Sequence, residues 1–344
     1  MRDMTTNRKA WSTRRFKVGV AAIGAASLLT LAACGDDAGN DGAKGGDIKI
    51  GLVTKTDSNP FFVKLRASAK EEADKSGAEL VALAGAFDGD NEGQVTAIEN
   101  LVSQGVKGIL ITPNSSSGIL GAIKKARDAG IVVIALDTAT DPEDAVDATL
   151  ATDNLKAGEL QGQYVKAALG DKDPKVIMLD GTPGGTVDTF RHDGFLKGMG
   201  LTEDSPEIVG KENTNGDQTK AQTAMENLLQ RAGDANAVYT INEPAAAGGF
   251  EAIKSAGKVD QFTIGSIDGS CTGVENVKSG VIAATVMQFP AKMAAEGVKA
   301  VVKFAEDGTK PSGFTDTGTT LITDDPIEGV DSEDTAWGAE NCWG

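Results

Sequence analysis

Two adjacent aromatic residues and an asparagine lie where a predicted strand meets a predicted helix. Ile48 to Val53 is a short apolar run typical of a strand, and Val63 to Ser76 has apolar residues at helical spacing. Asn59, Phe61 and Phe62 stand between them. In open α/β sheets this point, at the carboxyl end of a strand, borders the crevice where ligands bind. Because aromatic faces suit the C–H faces of a sugar ring, the pattern predicts a sugar contact; packing of the helix onto the sheet is the alternative.

Polar residues that could bond the hydroxyl groups of such a ligand follow several other predicted strands. Charged side chains make short, strong hydrogen bonds, which a ligand rich in hydroxyls requires. Each candidate also has a structural alternative, since the aspartates could cap turns and Arg191 could form a structural pair with Asp188. The candidates are Asp137, Asp188, Arg191, Asn242, Asp268, Gln288 at a predicted crossover, and Lys55 on the first loop.

The elements that must position these residues alternate regularly between strand and helix. Strands separated by helices indicate parallel sheets built from right-handed crossovers. The pattern occurs twice and joins near Ala151–Asn154, which predicts an α/β protein of two similar Rossmann-like lobes. The predicted strands cover residues 48–53, 79–84, 108–111, 131–136, 147–151, 175–180, 207–211, 236–241, 261–267, 281–285 and a short segment near 320–323.

The first 47 residues are typical of an export signal followed by a tether. Basic residues precede an apolar run from Val18 to Ala33, which is short for a membrane span. The run ends in Leu-Ala-Ala-Cys34, so residues 1–33 are predicted to be a lipoprotein signal peptide and Cys34 the lipidated first residue of the mature chain. Residues 34–47 are rich in Gly, Asp and Ala and predict a flexible tether. An uncleaved anchor with a chance cysteine is the alternative.

The charge and the cysteines restrict the function further. The chain carries a formal charge of −17, although its N-terminus is basic, and this argues against nucleic-acid binding. Beyond Cys34, the cysteines are Cys271 and Cys342. Two thiols outside the membrane favour a disulfide.

Three other motifs have weaker interpretations. Asp88–Glu99 has acids at the first, third and twelfth places of a calcium loop, but it also lies where a helix must begin. Gly181–Thr186 lacks the lysine of a phosphate-binding loop and is typical of a strand-to-helix turn. His192 is the only histidine, so His-rich metal sites are excluded, and no cofactor is expected. A glycosidase that uses Asp137 and Asp268 is the enzymatic alternative.

Several short motifs occur in a set order along the chain. They are Lys49-Ile-Gly-Leu-Val, Asn59-Pro-Phe-Phe, Gly108-Ile-Leu-Ile-Thr-Pro, Val132-Val-Ile-Ala-Leu-Asp137, Thr152-Asp-Asn154, Arg191-His-Asp-Gly-Phe, Gly265-Ser-Ile-Asp-Gly and Gln288-Phe-Pro. Together they resemble the motifs of periplasmic sugar-binding proteins of ABC importers, the ribose-binding type with the periplasmic binding protein type I fold. The resemblance covers about residues 48 to 325. The Asp268-Gly-Ser-Cys-Thr-Gly segment and the Cys-Trp-Gly end are most similar to the fructose-binding branch.

The resemblance implies two lobes joined by three crossovers that close over one sugar. The lobes would comprise residues 48–151 with 289–318, and 152–288 with 319–344. It implies a lipid-anchored, extracytoplasmic, monomeric protein whose partner is an importer permease; a sensor partner for a receptor is the alternative.

The resemblance also carries sugar contacts to particular positions. Thr138 and Thr189 stand where the ribose type has arginines, and Gly216 stands where it has a third aromatic. These departures argue for a hydroxyl pattern other than that of ribose, with fructose as the sugar and ribose, xylose or a sugar alcohol as alternatives. The implied contacts are Asn59, Phe61, Phe62, Asp137, Asn242, Asp268 and Gln288.

Overall fold

The strands form two sheets of six within residues 48–344, the part of the chain that the computed structural model describes. The sheet orders are β11-β5-β4-β3-β1-β2 and β12-β10-β9-β8-β6-β7. Every pair of neighbouring strands is parallel except β10 and β12. The strands are β1 (Lys49–Thr54), β2 (Glu79–Ala84), β3 (Gly108–Ile111), β4 (Val132–Leu136), β5 (Ala148–Ala151), β6 (Val176–Asp180), β7 (Ile208–Asn213), β8 (Ala237–Thr240), β9 (Thr263–Asp268), β10 (Ala284–Met287), β11 (Gly313–Asp316) and β12 (Thr320–Ile322).

Helices follow the strands and bury their apolar faces against the two sheets. Several begin at a side chain that caps the free N–H groups of the first turn, as Asn59 does for α1 and Asn242 for α7. The helices are α1 (Pro60–Lys75), α2 (Asn91–Ser103), α3 (Leu120–Asp128), α4 (Asn154–Leu169), α5 (Thr186–Met199), α6 (Gln218–Arg231), α7 (Glu243–Ser255), α8 (Cys271–Lys278), α9 (Pro290–Asp307) and α10 (Thr335–Asn341).

The chain passes between the two sheets three times. It crosses after β5, after β10 and between β11 and β12. Parallel strands place their carboxyl ends at one edge of each sheet, and the loops at these edges face a cleft between the lobes. The alternation predicted from the sequence is therefore confirmed, and it yields a two-lobed α/β fold with three connections.

The segment from Gly313 to Gly344 differs most from the sequence-based expectation. The sequence pattern predicted one short strand near residue 320, whereas the structure adds β11 at the edge of the first sheet and the helix α10. Both are short, and their residues lack the apolar periodicity that reveals a longer element.

A disulfide joins Cys271 at the start of α8 to Cys342 after α10. Closing a loop of 71 residues stabilises the fold by roughly 4 kcal/mol in the chain-entropy model.

The segment that resembles a calcium loop is a capped helix start. Helix α2 begins at Asn91, inside the twelve residues in question. The Asp90 carboxylate accepts hydrogen bonds from the main-chain N–H groups of Gly93 and Ala86, both at 2.9 Å. These bonds lower the pKa of Asp90. No cluster of metal-ligating side chains occurs among residues 48–344. The calcium interpretation therefore has no support in the geometry.

The predicted lipidation site at Cys34 lies outside the described residues. Among the helices from α1 to α10, none combines the length and apolar character that crossing a bilayer demands.

We expect His192 to make the stability of the fold depend on pH. Its ring contacts the carboxylates of Asp180 (2.8 Å) and Glu203 (2.7 Å). The hydrogen bond to Asp180 raises the pKa of His192 to about 9, although partial burial of the ring lowers this pKa. A raised pKa means that the folded state holds its proton more tightly than the unfolded state. The contribution of protonated His192 to the stability of the fold is thus complete below about pH 6.5 and is lost as the pH rises through about 9.

Urea denaturation of wild type and His192→Gln between pH 6 and pH 10 measures this contribution. The gap in free energy of unfolding between the two proteins should narrow as the pH rises. A constant gap across this range would contradict the assignment.

Candidate functional site

All ten residues selected from the sequence line one cleft between the lobes. The space between them, including the part open to solvent, is about 470 Å³. The cleft is lined by Lys55, Asn59, Phe61, Phe62, Asp137, Asp188, Arg191, Asn242, Asp268 and Gln288, together with Asp88, Gly181, Thr182, Val187, Asn215, Gly216 and Ile241.

The aromatic pair both packs the first lobe and borders the cleft. Pro60 starts α1 directly after the cap Asn59, so the next two residues leave the strand end side by side. The rings of Phe61 and Phe62 meet edge to face, with centroids 5.5 Å apart, and each residue is 4% exposed. Both belong to the core beside β1. The two interpretations of the pair are therefore compatible, because core packing holds the rings at the wall of the cleft.

Arg191 is the most highly connected side chain of the cleft. It lies in the second turn of α5 and is 3% exposed. Its guanidinium donates to Asn154 Oδ1 (2.7 Å), the Ile241 carbonyl (2.8 Å) and Gln288 Oε1 (3.0 Å). The nearest oxygen of Asp137 is 4.0 Å away. An arginine has five N–H donors, so two remain for other acceptors in the cleft.

Two buried aspartates provide the acceptors. Asp137 follows β4 with φ of 63°, and Asp268 ends β9 with φ of 155°. Residues other than glycine rarely adopt such positive φ angles, and these angles persist only where surrounding contacts hold the backbone. Asp137 accepts from the Thr138 hydroxyl at 2.8 Å, and Asp268 accepts from Gln288 Nε2 at 2.8 Å. Both backbones are thus held in uncommon conformations that place a carboxylate at the cleft.

Glu243 is a buried carboxyl behind Asp268 that sequence reasoning did not select. It accepts from Gly269 N (2.8 Å), Ser270 N (3.2 Å), the Ser270 hydroxyl and the Thr285 hydroxyl (2.7 Å). Burial raises the pKa of Glu243, and the neighbouring Asp268 raises it further. Burial likewise raises the pKa of Asp268 to about 6, although the Arg191 charge opposes the shift. Through its hydrogen bonds to Gly269 and Ser270, Glu243 holds the turn after β9 in place.

A glycine makes room for that carboxyl. A Cβ atom at Gly273 would lie 1.7 Å from Glu243 Oε1, so no larger residue fits there without displacing Glu243.

Asp188 serves the turn between β6 and α5 as well as the cleft. Its carboxylate accepts from Gly181 N at 2.6 Å. Burial raises the pKa of Asp188, Asp180 adds to this, and Lys55 acts in the opposite direction. Arg191 has no ion pair with Asp188, since its carboxylate neighbour is Asp137. The structural alternative considered for Arg191, a pair with Asp188, is therefore wrong.

Hydrogen bonds join the two lobes across the mouth of the cleft. Asp88, after β2, accepts from the Thr182 hydroxyl, and its main-chain oxygen accepts from Asn215 Nδ2 at 2.8 Å. Thr186 N donates to the Ser116 hydroxyl at 3.0 Å. The structure is therefore a closed state in which the Gly181–Thr186 turn contacts the first lobe.

Three residues of this arrangement were not among the site residues predicted from the sequence. Asn154 orients Arg191 but stood out in the sequence only as part of the Thr152-Asp-Asn154 motif. Asp88 attracted notice only as part of a calcium motif. Trp343 donates its indole N–H to the main-chain oxygens of Asp268 (3.1 Å) and Gln288 (2.9 Å), although it lies next to the end of the chain. Only the fold brings these residues to the cleft.

Comparison with known proteins agrees with this geometry. A family model described as periplasmic binding protein domain matches residues 50–310. The ribose import binding protein of Bacillus subtilis is 35% identical over 280 residues, 80% of this chain and 88% of that protein. The D-allose-binding periplasmic protein of Escherichia coli is 28% identical over 75% of this chain and 84% of that protein.

A solved structure shows the same fold. An ABC transporter solute binding protein from Agrobacterium vitis with bound D-fucose has a TM-score of 0.77 and 28% identity. The match covers 86% of this chain and 100% of that one. The chain therefore belongs to the periplasmic binding protein family and has the type I fold of that family. The relatives are binding proteins of transporters and not enzymes.

Proposed function

We propose that this protein binds one monosaccharide in the cleft and delivers it to an ABC importer, and that the sugar is fructose. The observation that carries the proposal is the pairing of two buried aromatic rings with charged, buried hydrogen-bonding groups from both lobes. Sugars present C–H faces and hydroxyl rims, and the cleft offers partners for both. The names of the relatives, which include ribose- and allose-binding proteins, support a sugar as the ligand.

Each proposed contact has a defined task. Phe61 and Phe62 cover the faces of the sugar. Asp137 and Asp268 accept hydrogen bonds from hydroxyl groups, and Arg191 donates with its two remaining N–H groups. Further bonds come from Lys55, Asn59, Asp188, Asn242 and Gln288.

Binding is coupled to closure of the lobes. The contacts come from both sides of the cleft, so only the closed state makes all of them. A sugar then shifts the equilibrium between open and closed states by its difference in affinity for the two. We propose that the permease recognises the closed form.

A thermal-shift screen of free monosaccharides, followed by calorimetry, tests the proposal. The protein should first be unfolded and refolded to remove any sugar carried through purification. Fructose should bind with a stoichiometry of one, and at 100 times its dissociation constant it should stabilise the fold by about 2.7 kcal/mol. Ribose, xylose and a sugar alcohol serve as comparisons, and tighter binding of one of them would replace fructose. Failure of every monosaccharide to bind would overturn the function.

We further propose that Cys34 carries a lipid that holds the protein at the outer face of the membrane. Its position after an apolar run ending in Leu-Ala-Ala supports this. Cys34→Ser should leave the protein in the medium or as uncleaved precursor, as fractionation and mass spectrometry would show. Membrane attachment by a lipid in the Cys34→Ser variant would contradict this proposal.

A further inference from the structure

The C-terminal residues return to the binding cleft and are covalently fixed there. Cys342 forms the disulfide with Cys271, the first residue of α8. Directly beside it, Cys271 N donates to the Trp343 carbonyl at 2.9 Å, and Ser270 pairs with Trp343 in a parallel bridge. The disulfide and these main-chain contacts attach Trp343 to the turn that follows β9.

The Trp343 side chain contacts the binding residues of both lobes. Its indole N–H donates to the main-chain oxygens of Asp268 and Gln288, at 3.1 Å and 2.9 Å. Its ring lies edge to face against Phe61 of the first lobe, with centroids 5.6 Å apart. The residue is 5% exposed. Trp343 therefore lies behind three of the proposed sugar contacts at once.

These contacts fix a part of the backbone that would otherwise relax. Asp268 has a φ of 155°, which the surroundings must maintain. Trp343 bonds its carbonyl, while Glu243 bonds the N–H groups of Gly269 and Ser270 that follow. The carbonyl of Gln288, at a crossover between the lobes, is held by the same indole.

We propose that Trp343, fixed by the Cys271–Cys342 disulfide, is a positioning residue of the sugar site, and that sugar affinity therefore depends on the redox state of this disulfide. Trp343 orients Asp268, Gln288 and Phe61 and need not touch the sugar. Reduction adds two electrons and two protons to the disulfide and yields two thiols, for which an added dithiol is the reductant. The freed tail then no longer holds Trp343 in place. This inference rests on the proposed function.

A pair of matched tryptophan variants tests the positioning role. Trp343→Phe keeps an aromatic ring but removes the N–H donor, whereas Trp337→Phe changes the tryptophan of α10 and leaves both bonds intact. Affinity for fructose, measured by calorimetry on the exported protein, should fall at least tenfold in Trp343→Phe and stay unchanged in Trp337→Phe. Circular dichroism establishes that each variant is folded.

Fluorescence supplies a readout that loss of stability alone would not produce. Exported protein without residues 1–33 retains Trp337 and Trp343 as its tryptophans. Adding fructose should change the emission of the Trp337→Phe variant, in which Trp343 remains, and should leave the emission of Trp343→Phe unchanged.

Reduction of the wild type with dithiothreitol tests the redox dependence without any mutation. Reduced protein that remains folded by circular dichroism should bind fructose at least tenfold more weakly, and reoxidation should restore its affinity. Equal affinity of oxidised and reduced protein would overturn the redox dependence.

Undiminished affinity in folded Trp343→Phe would overturn the positioning role. If Trp343→Phe does not fold, the test is the change in emission of Trp337→Phe on adding fructose. No change in that emission would overturn the positioning role of Trp343. No binding by oxidised wild type would instead show that the proposed function is wrong.

Discussion

Replacing Asp268 with alanine is expected to weaken sugar binding by about a hundredfold, or about 3 kcal/mol. The carboxylate is 4% exposed and is oriented by Gln288 Nε2 at 2.8 Å. Its removal takes away a charged acceptor for hydroxyl groups and also leaves Gln288 Nε2 without its acceptor. Calorimetry on both proteins measures the effect.

The matched controls separate charge from shape. Asp268→Asn keeps the volume and loses the charge, so its affinity should lie between those of wild type and Asp268→Ala. Asp260→Ala removes an exposed aspartate just before the start of β9, whereas Asp268 lies at the other end of that strand, and this variant should bind as wild type does. Undiminished affinity in Asp268→Ala would remove Asp268 from the site.

The affinity of the wild type should also fall in acid. Burial raises the pKa of Asp268 to about 6, so the carboxylate gains a proton as the pH falls through that value and ceases to be a charged acceptor. In Asp268→Asn this dependence should be absent. A wild-type affinity that is constant from pH 8 to pH 5 would contradict this role of the charge.

Replacing Arg191 with methionine is expected to impair both binding and stability. The change leaves the buried oxygens of Asn154 and Ile241 without their donor, and it leaves Gln288 Oε1 with only the Thr152 hydroxyl, at 3.2 Å. It also removes the cation nearest to the Asp137 carboxylate. Breaking a buried pair of this kind costs about 3–5 kcal/mol of unfolding free energy. Sugar affinity should fall more than a hundredfold, because Gln288 and Asp137 then lose the side chain that orients them in the cleft.

Urea denaturation and calorimetry measure these two effects separately. Arg191→Lys is the matched variant, because it keeps the charge but cannot bond all three oxygens at once. Its stability and affinity should both be intermediate. A folded Arg191→Met protein that binds the sugar as wild type does would show that Arg191 is outside the site.

The sequence by itself determined the two-lobed α/β architecture and ten of the residues that line the cleft. Strands and helices alternate with clear apolar periods, and in parallel sheets the carboxyl end of every strand reaches the same edge. A polar residue just after a buried strand is thereby assigned to the cleft without knowledge of its contacts. This is why Asn59, Asp137, Asn242 and Asp268 could be selected from the chain alone.

Only the tertiary structure decided how the site is supported. The contacts of Asn154 with Arg191, of Glu243 with the turn after β9, and of Trp343 with Asp268 join residues 26 to 75 positions apart. No local pattern encodes such pairs, since each depends on the packing of one element against another. Short elements such as α10 were not predicted for a similar reason. Tertiary contacts and the disulfide stabilise them, and they have no amphipathic period that the sequence would reveal.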